Sequence, residues 1–340
     1  MKRARIAING FGRIGRSFFR GACKLPEFEI VAINDLTDTR TLAYLLKYDS
    51  VYGRFDTHVE VGDGVLIVSN TQIKVLAEKD PAKLPWRDLG VDVVIESSGF
   101  FTSYDKAKSH LDAGAKRVVI TAPATGDVTT ALVGVNDDRF ENPGAITTNA
   151  TCTTNSAGPV MAILLGYFKI EKATMVTVHG YTATQKLIDG PDGKDPRRGR
   201  AAAVNIVPST TGAAEAVIQA LPQLAGKFDA TAVRVPIVAG SVSVISVLID
   251  RATTREEIND LFQAQTQTPR WQKTLKVTDD PIVSTDIIGE PYGAIIDILM
   301  TKVVDGNLVT IFSWYDNEAG YTATLIEHVR RITEKLQEVT

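Results

Sequence analysis

The segment RIAINGFGRIGRSFFRGA, residues 5–22, constrains the fold more than any other part of this chain. An alternating apolar stretch, Ile6 to Ile8, breaks at Gly10, and glycines at 10, 12 and 15 lead into a helix-like run. A second apolar run, EIVAIND, ends at Asp35, twenty residues beyond Gly15. Strand, glycine turn, helix, strand and acid in that order read as a βαβ unit. The glycines let the backbone approach a pyrophosphate closely, and the helix start offers free N–H groups and a favourable dipole. Asp35 is placed to bond adenosine ribose hydroxyls and to repel a 2′-phosphate, which favours NAD over NADP.

The rest of the first third continues the pattern. GVLIVSNTQIKVLAE reads as a β-hairpin, VDVVIESSGFF and KRVVITAPA as buried strands, and SYDKAKSHLDAG as a helix closed by Gly114. Such alternation predicts a parallel sheet covered on both faces. Ligands of open α/β sheets lie at the carboxyl ends of the strands, where Ser98 and Thr121 fall, so both are candidate cofactor contacts. Polar residues that merely cap loops are an equally good reading of the two positions taken alone.

Length and composition bound the remainder. A chain of 340 residues exceeds one comfortable core, so two domains are expected. The net charge of −3 argues against a general polyanion-binding surface. Two cysteines do not make a disulfide framework, and a reducing, cytoplasmic setting is expected. The apolar run near the N-terminus is too short for a signal segment, and no apolar run is long enough to span a membrane.

One of the two cysteines is conspicuous. Cys152 lies in NATCTTN, among Thr151, Thr153 and Thr154, at the start of a helix-like run. A helix N-terminus stabilises an anion, so a depressed thiol pKa is expected there. The strand-like KATMVTVHG that follows the helix ends at His179, and a returning strand can bring this imidazole back to the thiol. Cysteine and histidine at opposed element ends form an activated-nucleophile pattern. The spacing alone leaves contact open, since a single histidine at a strand end is more often a solvated or hydrogen-bonded one. His58, His110 and His328 lie in polar or amphipathic settings that suit the surface. No histidine pair has metal-ligand spacing, and no metal is expected. Cys23, in FFRGACKL, reads as a small hydrophobe on a helix.

With these residues in place, the chain closely resembles the phosphorylating glyceraldehyde-3-phosphate dehydrogenases. INGFGRIGR, LLKYDSVYGRF, NATCTTN, HGYTATQKLIDGP, RAAAVNIVPSTTGAA, AVRVP and WYDNEAGY occur in that family's order and spacing, nearly end to end. The resemblance implies an α/β protein: a Rossmann domain over residues 1–151, completed by a C-terminal helix at 318–340, and an α+β catalytic domain over 152–317 with a mainly antiparallel sheet. It further implies Cys152 as nucleophile and His179 as its base, working through a thioester that inorganic phosphate cleaves.

Carried over residue by residue, Thr182, Thr184 and Arg234 match the site for the phosphate of D-glyceraldehyde 3-phosphate. Thr151, Thr153, Thr211 and Gly212 match the site for attacking inorganic phosphate. NAD contacts are implied along Gly10, Phe11, Gly12, Arg13 and Ile14, with Asp35, Ser98 and Thr121 beyond them. Lys79 stands where some members have Arg beside the adenine, and Asn317 matches the residue that holds the nicotinamide carboxamide. The loop LIDGPDGKDPRRGRAAAVNIVP is expected to lack secondary structure and to lie at a subunit interface of a homotetramer, with Arg197, Arg198 and Arg200 in interface ion pairs. Thr151 replaces a usual Ser, Ser156 a frequent second Cys, and Ala319 a common bulky aromatic. Erythrose-4-phosphate dehydrogenase, with the same cysteine chemistry, is the alternative reading, and no nucleic-acid or membrane partner is expected.

Overall fold

The glycine-rich segment supplies the central strand of a large, mainly parallel sheet. The computed structural model describes residues 3–193 and 195–338. It divides into two compact units, one comprising Met1–Ala131, Asp137–Ala150 and Leu325–Thr340, the other Leu132–Asn136 and Thr151–Thr324.

The first unit carries nine strands: β1 (Ala4–Asn9), β2 (Phe28–Asn34), β3 (Val59–Gly62), β4 (Val65–Val68), β5 (Thr71–Leu76), β6 (Val93–Glu96), β7 (Arg117–Ile120), β8 (Thr129–Thr130) and β9 (Ile146–Thr148). Their order is β3-β4-β5-β2-β1-β6-β7-β9-β8. Every pair from β5 to β8 in that order is parallel, while β3, β4 and β5 form an antiparallel meander at one edge. Helices α1 (Arg13–Ala22), α2 (Thr39–Lys47) and α3 (Tyr104–Asp112) provide its crossovers. Ile6, Ala7, Ile8, Ile33, Val94 and Val119 are almost fully buried, as strands covered on both faces require.

Three turns follow from residue type. Gly10 has φ +89°, and a Cβ there would stand 2.5 Å from the Ser98 backbone nitrogen. The β4–β5 hairpin turns through Ser69 and Asn70, both at positive φ, a conformation that asparagine tolerates better than most residues. Gly114, at φ +109°, donates to Leu111 O and ends α3. The strand β3 was not legible in the sequence: its VEVG pairs with β4 but buries only Val59.

The second unit holds an eight-stranded, mainly antiparallel sheet of β10 (Ile170–Gly180), β11 (Val207–Thr210), β12 (Phe228–Val235), β13 (Ser241–Ile249), β14 (Leu275–Thr278), β15 (Ala294–Asp297), β16 (Lys302–Val304) and β17 (Leu308–Tyr315). Its order is β11-β12-β10-β13-β17-β15-β14, with β16 on β17. Only β10/β12 and β14/β15 are parallel. Helix α4 (Cys152–Tyr167) packs across β17, β15, β13 and β10, and α5 (Ala213–Ala220) packs on α4. Buried residues run round every face of α4 from Thr153 to Met161, the mark of an interior helix. Helix α6 (Arg255–Thr266) lies against β14, and α7 (Ala319–Glu338) closes the chain, entering the first unit at Leu325.

Two expectations are corrected here. His110 and His328 are both fully buried rather than superficial. His110 accepts at Nδ1 from the Trp86 indole N–H (3.0 Å) and donates from Nε2 to Glu96 Oε2 (3.0 Å). His328 donates from Nδ1 to Ala131 O (3.0 Å) and accepts at Nε2 from the Thr147 hydroxyl (2.8 Å). The long loop is not structureless: a 3-10 turn spans Pro196–Gly199, and β11 begins at Val207. Its arginines pair with aspartates of their own loop, Arg197 with Asp195, Arg198 with Asp192 and Arg200 with Asp189.

Candidate active site

Two sites form, one in each unit. In the first, Gly12 caps α1 without any side-chain bond, so the first-turn N–H groups face outward. A Cβ on Gly12 would meet nothing within 4 Å, whereas one on Gly15 would collide with Gly10 O. The space is therefore in front of the turn, and the close packing behind it. Asp35, just past β2, accepts from the backbone N–H of Phe11 at Oδ2 (2.8 Å) and of Thr37 at Oδ1 (2.9 Å), locking the turn to the strand end. Arg13 pairs with Asp49 at 2.5 Å, and Ile14 continues the first turn of α1.

Ser98 and Thr121 follow β6 and β7 and converge on one residue, Glu96. The Glu96 carboxylate accepts from Ser98 N (2.8 Å), Ser98 Oγ (2.5 Å), Asn9 Nδ2 (2.5 Å) and His110 Nε2 (3.0 Å), and its carbonyl accepts from Thr121 Oγ1 (3.2 Å). Glu96 escaped sequence reasoning; its only signal is an acid ending the otherwise apolar strand VVIE. Lys79 is exposed in the loop after β5.

The second site centres on the sulfur. Thr151 caps α4, its hydroxyl accepting from Thr154 N at 3.0 Å, so the helix starts at Cys152. Ala150 immediately before it has φ +51°, a costly value for a residue with a Cβ and a local strain just ahead of α4. β10 returns and sets His179 Nε2 3.4 Å from Cys152 Sγ. Thr153 Oγ1 lies 4.0 Å from the sulfur and 2.9 Å from the buried Tyr315 hydroxyl, which also meets Thr177 at 2.7 Å. The Tyr315 ring stands edge-on to His179.

The imidazole's other nitrogen is crowded. Gly180 O and Arg234 Nη1 each lie 2.6 Å from His179 Nδ1, and Arg234 Nη1 is 3.3 Å from Gly180 O. Strand register explains this: β12 runs parallel beside β10 with Arg234 opposite His179. Gly180 N–H donates to Ser241 Oγ (3.3 Å), which bonds Asn317 Oδ1 (3.3 Å). Gly240 N–H donates to the same oxygen at 3.1 Å. With Oδ1 so engaged, the Asn317 Nδ2 group remains as a donor.

Electrostatics overturn one expectation. Burial pushes the Cys152 thiol above its usual value, outweighing the Arg234 charge and the Thr153 and Cys152 N–H groups that pull it down. Burial and the Arg234 charge lower the His179 pKa to about 3, against the Gly180 carbonyl. Both shifts disfavour the charged form of the group concerned, because loss of hydration costs a buried charge more than the helix terminus returns.

The other anticipated anion ligands are not bonded to the sulfur. Thr182 and Thr184, just after β10, share a hydroxyl contact of 3.0 Å. Thr211 Oγ1 accepts from Ala213 N (3.2 Å), and Gly212 caps α5 with no side-chain bond. No group of three or more His, Cys, Asp or Glu side chains placed to hold a metal occurs among the described residues.

Comparison with known proteins decides the lineage. Residues 4–104 match the family model "Glyceraldehyde 3-phosphate dehydrogenase, NAD binding domain", and residues 151–317 match "Glyceraldehyde 3-phosphate dehydrogenase, C-terminal domain". The chain belongs to the glyceraldehyde-3-phosphate dehydrogenase family. It is 47% identical to the glyceraldehyde-3-phosphate dehydrogenase of Clostridium acetobutylicum over 327 residues, covering 95% of this chain and 96% of that protein. With the proteins of the same name from Mycolicibacterium smegmatis and Mycobacterium tuberculosis it shares 48% identity over 340 and 339 residues, covering 98% of this chain and 99% of each.

Against that family, the departures noted in the sequence acquire surroundings. Thr151 keeps the capping hydroxyl. Ser156 is buried, bonding Ser313 Oγ at 2.9 Å, so no second thiol stands one helical turn beyond Cys152. Ala319 opens α7, its N–H donating to Asp316 Oδ1 at 2.9 Å. Tyr315 and Gly180, which help tie the site together, lay within WYDNEAGY and HGYTATQKLIDGP but with no role of their own, and Ser241 carried no signal in the sequence.

Proposed function

We propose that this protein oxidises D-glyceraldehyde 3-phosphate with NAD and hands the acyl group to inorganic phosphate, giving 1,3-bisphosphoglycerate. The observation that carries the reading is the 3.4 Å approach of Cys152 Sγ to His179 Nε2 at the start of α4. The family membership, and relatives all named glyceraldehyde-3-phosphate dehydrogenase, support this substrate over erythrose 4-phosphate.

The residues present fit the cofactor. The open space before Gly12, the uncapped start of α1 and the Asp35 carboxylate suit a pyrophosphate and an adenosine ribose. Gly10, Phe11, Gly12, Arg13, Ile14, Asp35, Lys79, Ser98 and Thr121 are assigned to NAD, and Asn317 to its carboxamide. The NAD-binding domain is residues 1–151 with 318–340, and the catalytic domain 152–317.

The chain's own chemistry balances in three steps. Cys152 Sγ adds to the aldehyde carbon as its proton passes to His179 Nε2, and the protonated imidazole then donates to the alkoxide. NAD supplies the acceptor for the hydride that leaves that carbon while the hemithioacetal hydroxyl returns its proton to His179 Nε2, and a thioester remains on Cys152. An inorganic phosphate oxygen attacks the thioester carbonyl, the C–S bond breaks, the departing thiolate recovers the proton from His179, and the phosphate's own proton goes to water. Arg234, Thr182 and Thr184 are assigned to the substrate phosphate, and Thr151, Thr153, Thr211 and Gly212 to the attacking one, since hydroxyls, helix-start N–H groups and a guanidinium are good oxyanion partners.

The exposed Leu187, Ile188, Val204 and Ile206 of the long loop support burial against further copies, and the assembly we assign is a homotetramer. No described helix is long and apolar enough to cross a membrane, and a cytoplasmic setting is assigned. The test is NADH formation from glyceraldehyde 3-phosphate and NAD, with and without inorganic phosphate. Fast turnover that requires phosphate is expected. Turnover with erythrose 4-phosphate instead, or none with either aldehyde, would overturn the reading.

A further inference from the structure

A row of buried polar groups joins the carboxyl ends of the first unit's central strands. The Glu78 N–H can only donate, and it bonds Asn34 Oδ1 (2.9 Å), while Asn34 Nδ2 bonds Glu78 O in return (2.9 Å). Asn34 is thus held by both its polar atoms and cannot turn over. Its second Nδ2 hydrogen goes to Asn9 Oδ1 (2.7 Å), which leaves Asn9 Nδ2 to donate to Glu96 Oε2 (2.5 Å). Every donor in the row points toward Glu96, so the row needs at that end a group that only accepts. Asn9, Asn34 and Glu96 are all almost fully buried. Each member also adjoins a residue assigned to NAD. Asn9 precedes Gly10, Asn34 precedes Asp35, and Glu78 precedes Lys79. Glu96 holds Ser98 by its N–H (2.8 Å) and its hydroxyl (2.5 Å), and Asn34 O accepts from the Gly10 N–H (2.8 Å).

We propose that Glu96 is a positioning residue for the cofactor. As the acceptor end of the row it fixes which way the Asn9 and Asn34 amides face. Through them it sets the glycine turn, the Asp35 strand end and the Lys79 loop for the adenosine diphosphate half of NAD. This rests on the reading of those residues as NAD contacts. Glu96→Gln breaks the row whichever way the new amide sits. With its NH2 at the Oε1 position it faces the Ser98 N–H, a backbone donor that cannot reverse. With its NH2 at the Oε2 position it faces Asn9 Nδ2 and the His110 N–H. Asn9 then has to turn, and its Nδ2 meets Asn34 Nδ2, which cannot turn in reply. Adding Asn9→Asp repairs the row, since a carboxylate at position 9 accepts from the new amide on one side and from Asn34 Nδ2 on the other. Only the His110 N–H is left without its acceptor.

Calorimetric titration of the full-length protein with NAD, and with ADP-ribose, which lacks the nicotinamide, reads the effect. Glu96→Gln is expected to weaken both ligands alike, by about tenfold to a hundredfold, the worth of one or two misdirected buried hydrogen bonds. At saturating NAD, kcat and the KM for aldehyde should stay near those of the parent. The double variant Glu96→Gln with Asn9→Asp should recover most of the affinity for both ligands while keeping a lowered Tm. His110→Gln retains a donor for Glu96 but loses the ring that packs on Trp86 and Phe101, so it should lower Tm and leave both affinities unchanged. Parent-like affinities in Glu96→Gln, a loss confined to NAD, or no recovery in the double variant each overturns the inference. So does an affinity loss in His110→Gln that follows its fall in Tm. Should Glu96→Gln alone not fold, the double variant decides: ADP-ribose bound at near-parent affinity supports the inference, and failure to fold or to bind overturns it. Phosphate-dependent NADH formation by the parent, beside unweakened ligands in Glu96→Gln, would sink this inference and leave the proposed function standing. A parent that binds neither NAD nor ADP-ribose would sink both.

Discussion

The Tyr315 hydroxyl lies 2.9 Å from that of Thr153, so β17 holds the second residue of α4 from behind. Thr177 on β10 meets the same phenol at 2.7 Å, and all three side chains are buried. Tyr315→Phe leaves both threonine hydroxyls short of a partner. The expected cost is about 1–3 kcal/mol, the usual penalty for a buried polar group left unsatisfied. It should appear as a lower urea midpoint at an unchanged m-value; a midpoint equal to that of the parent would show that the relay contributes nothing.

Gly12 and Gly15 belong to one motif but answer to different constraints. A side chain at Gly12 meets empty space, while one at Gly15 strikes Gly10 O. Gly12→Ala is therefore expected to keep the parent Tm and to weaken NAD binding by intruding where the pyrophosphate approaches. Gly15→Ala should lose about 1–3 kcal/mol of stability as well, as overpacked sites do. Isothermal titration with NAD beside thermal melts separates the two; equal losses of stability would contradict the difference in surroundings.

The parts of the fold legible in the sequence are those whose causes are local. Gly10, Gly12, Gly15 and Asp35 each had a reason within a single βαβ unit, and the β4–β5 hairpin and the start of α4 at Cys152 were likewise decided by neighbours. The Cys152–His179 approach was legible as a pattern but not as a contact. What stayed hidden depends on partners far along the chain. His328 looks amphipathic, yet Ala131 and Thr147 enclose it from 197 and 181 residues away. Arg234 reaches His179 only because β12 and β10 are in register. The direction of the Cys152 pKa was misread for the same reason, since a helix start is visible in a sequence and burial is not. Arg197, Arg198 and Arg200 were expected in ion pairs at a subunit interface, although aspartate partners lay within their own loop.

Two histidines make the fold acid-labile. Burial lowers the pKa of both His179 and His328 from 6.5 to about 3. In the unfolded chain both protonate near pH 6.5, whereas the folded protein resists until about pH 3. The unfolded state therefore binds more protons across that window, and stability is full above pH 6.5 and falls as pH drops toward 3. Each histidine adds a slope of about 1.4 kcal/mol per pH unit at mid-window. Urea midpoints at several pH values should show this, and His328→Asn should reduce the slope by one histidine's share, whatever it does to absolute stability. A slope unaltered by the substitution would mean that His328 is already charged in the folded state.

His179→Asn tests the division of labour between the thiol and its base. The variant keeps a side chain of similar shape but has no group to take the Cys152 proton, and general bases contribute about 10²- to 10⁴-fold to rate. A loss of that order in kcat is expected, with little change in the KM for aldehyde or NAD. Burial holds the Cys152 thiol above its ordinary value, so few of the variant's molecules carry a thiolate at neutral pH. Its residual rate should therefore climb with pH through 9 and beyond, as hydroxide replaces the missing base. The parent, whose imidazole stays neutral down to about pH 3, should show a nearly flat profile from pH 6 to 8. If the variant's profile were flat as well, the proton would be leaving Cys152 by another path, and the imidazole 3.4 Å away would be serving only to hold the sulfur in place.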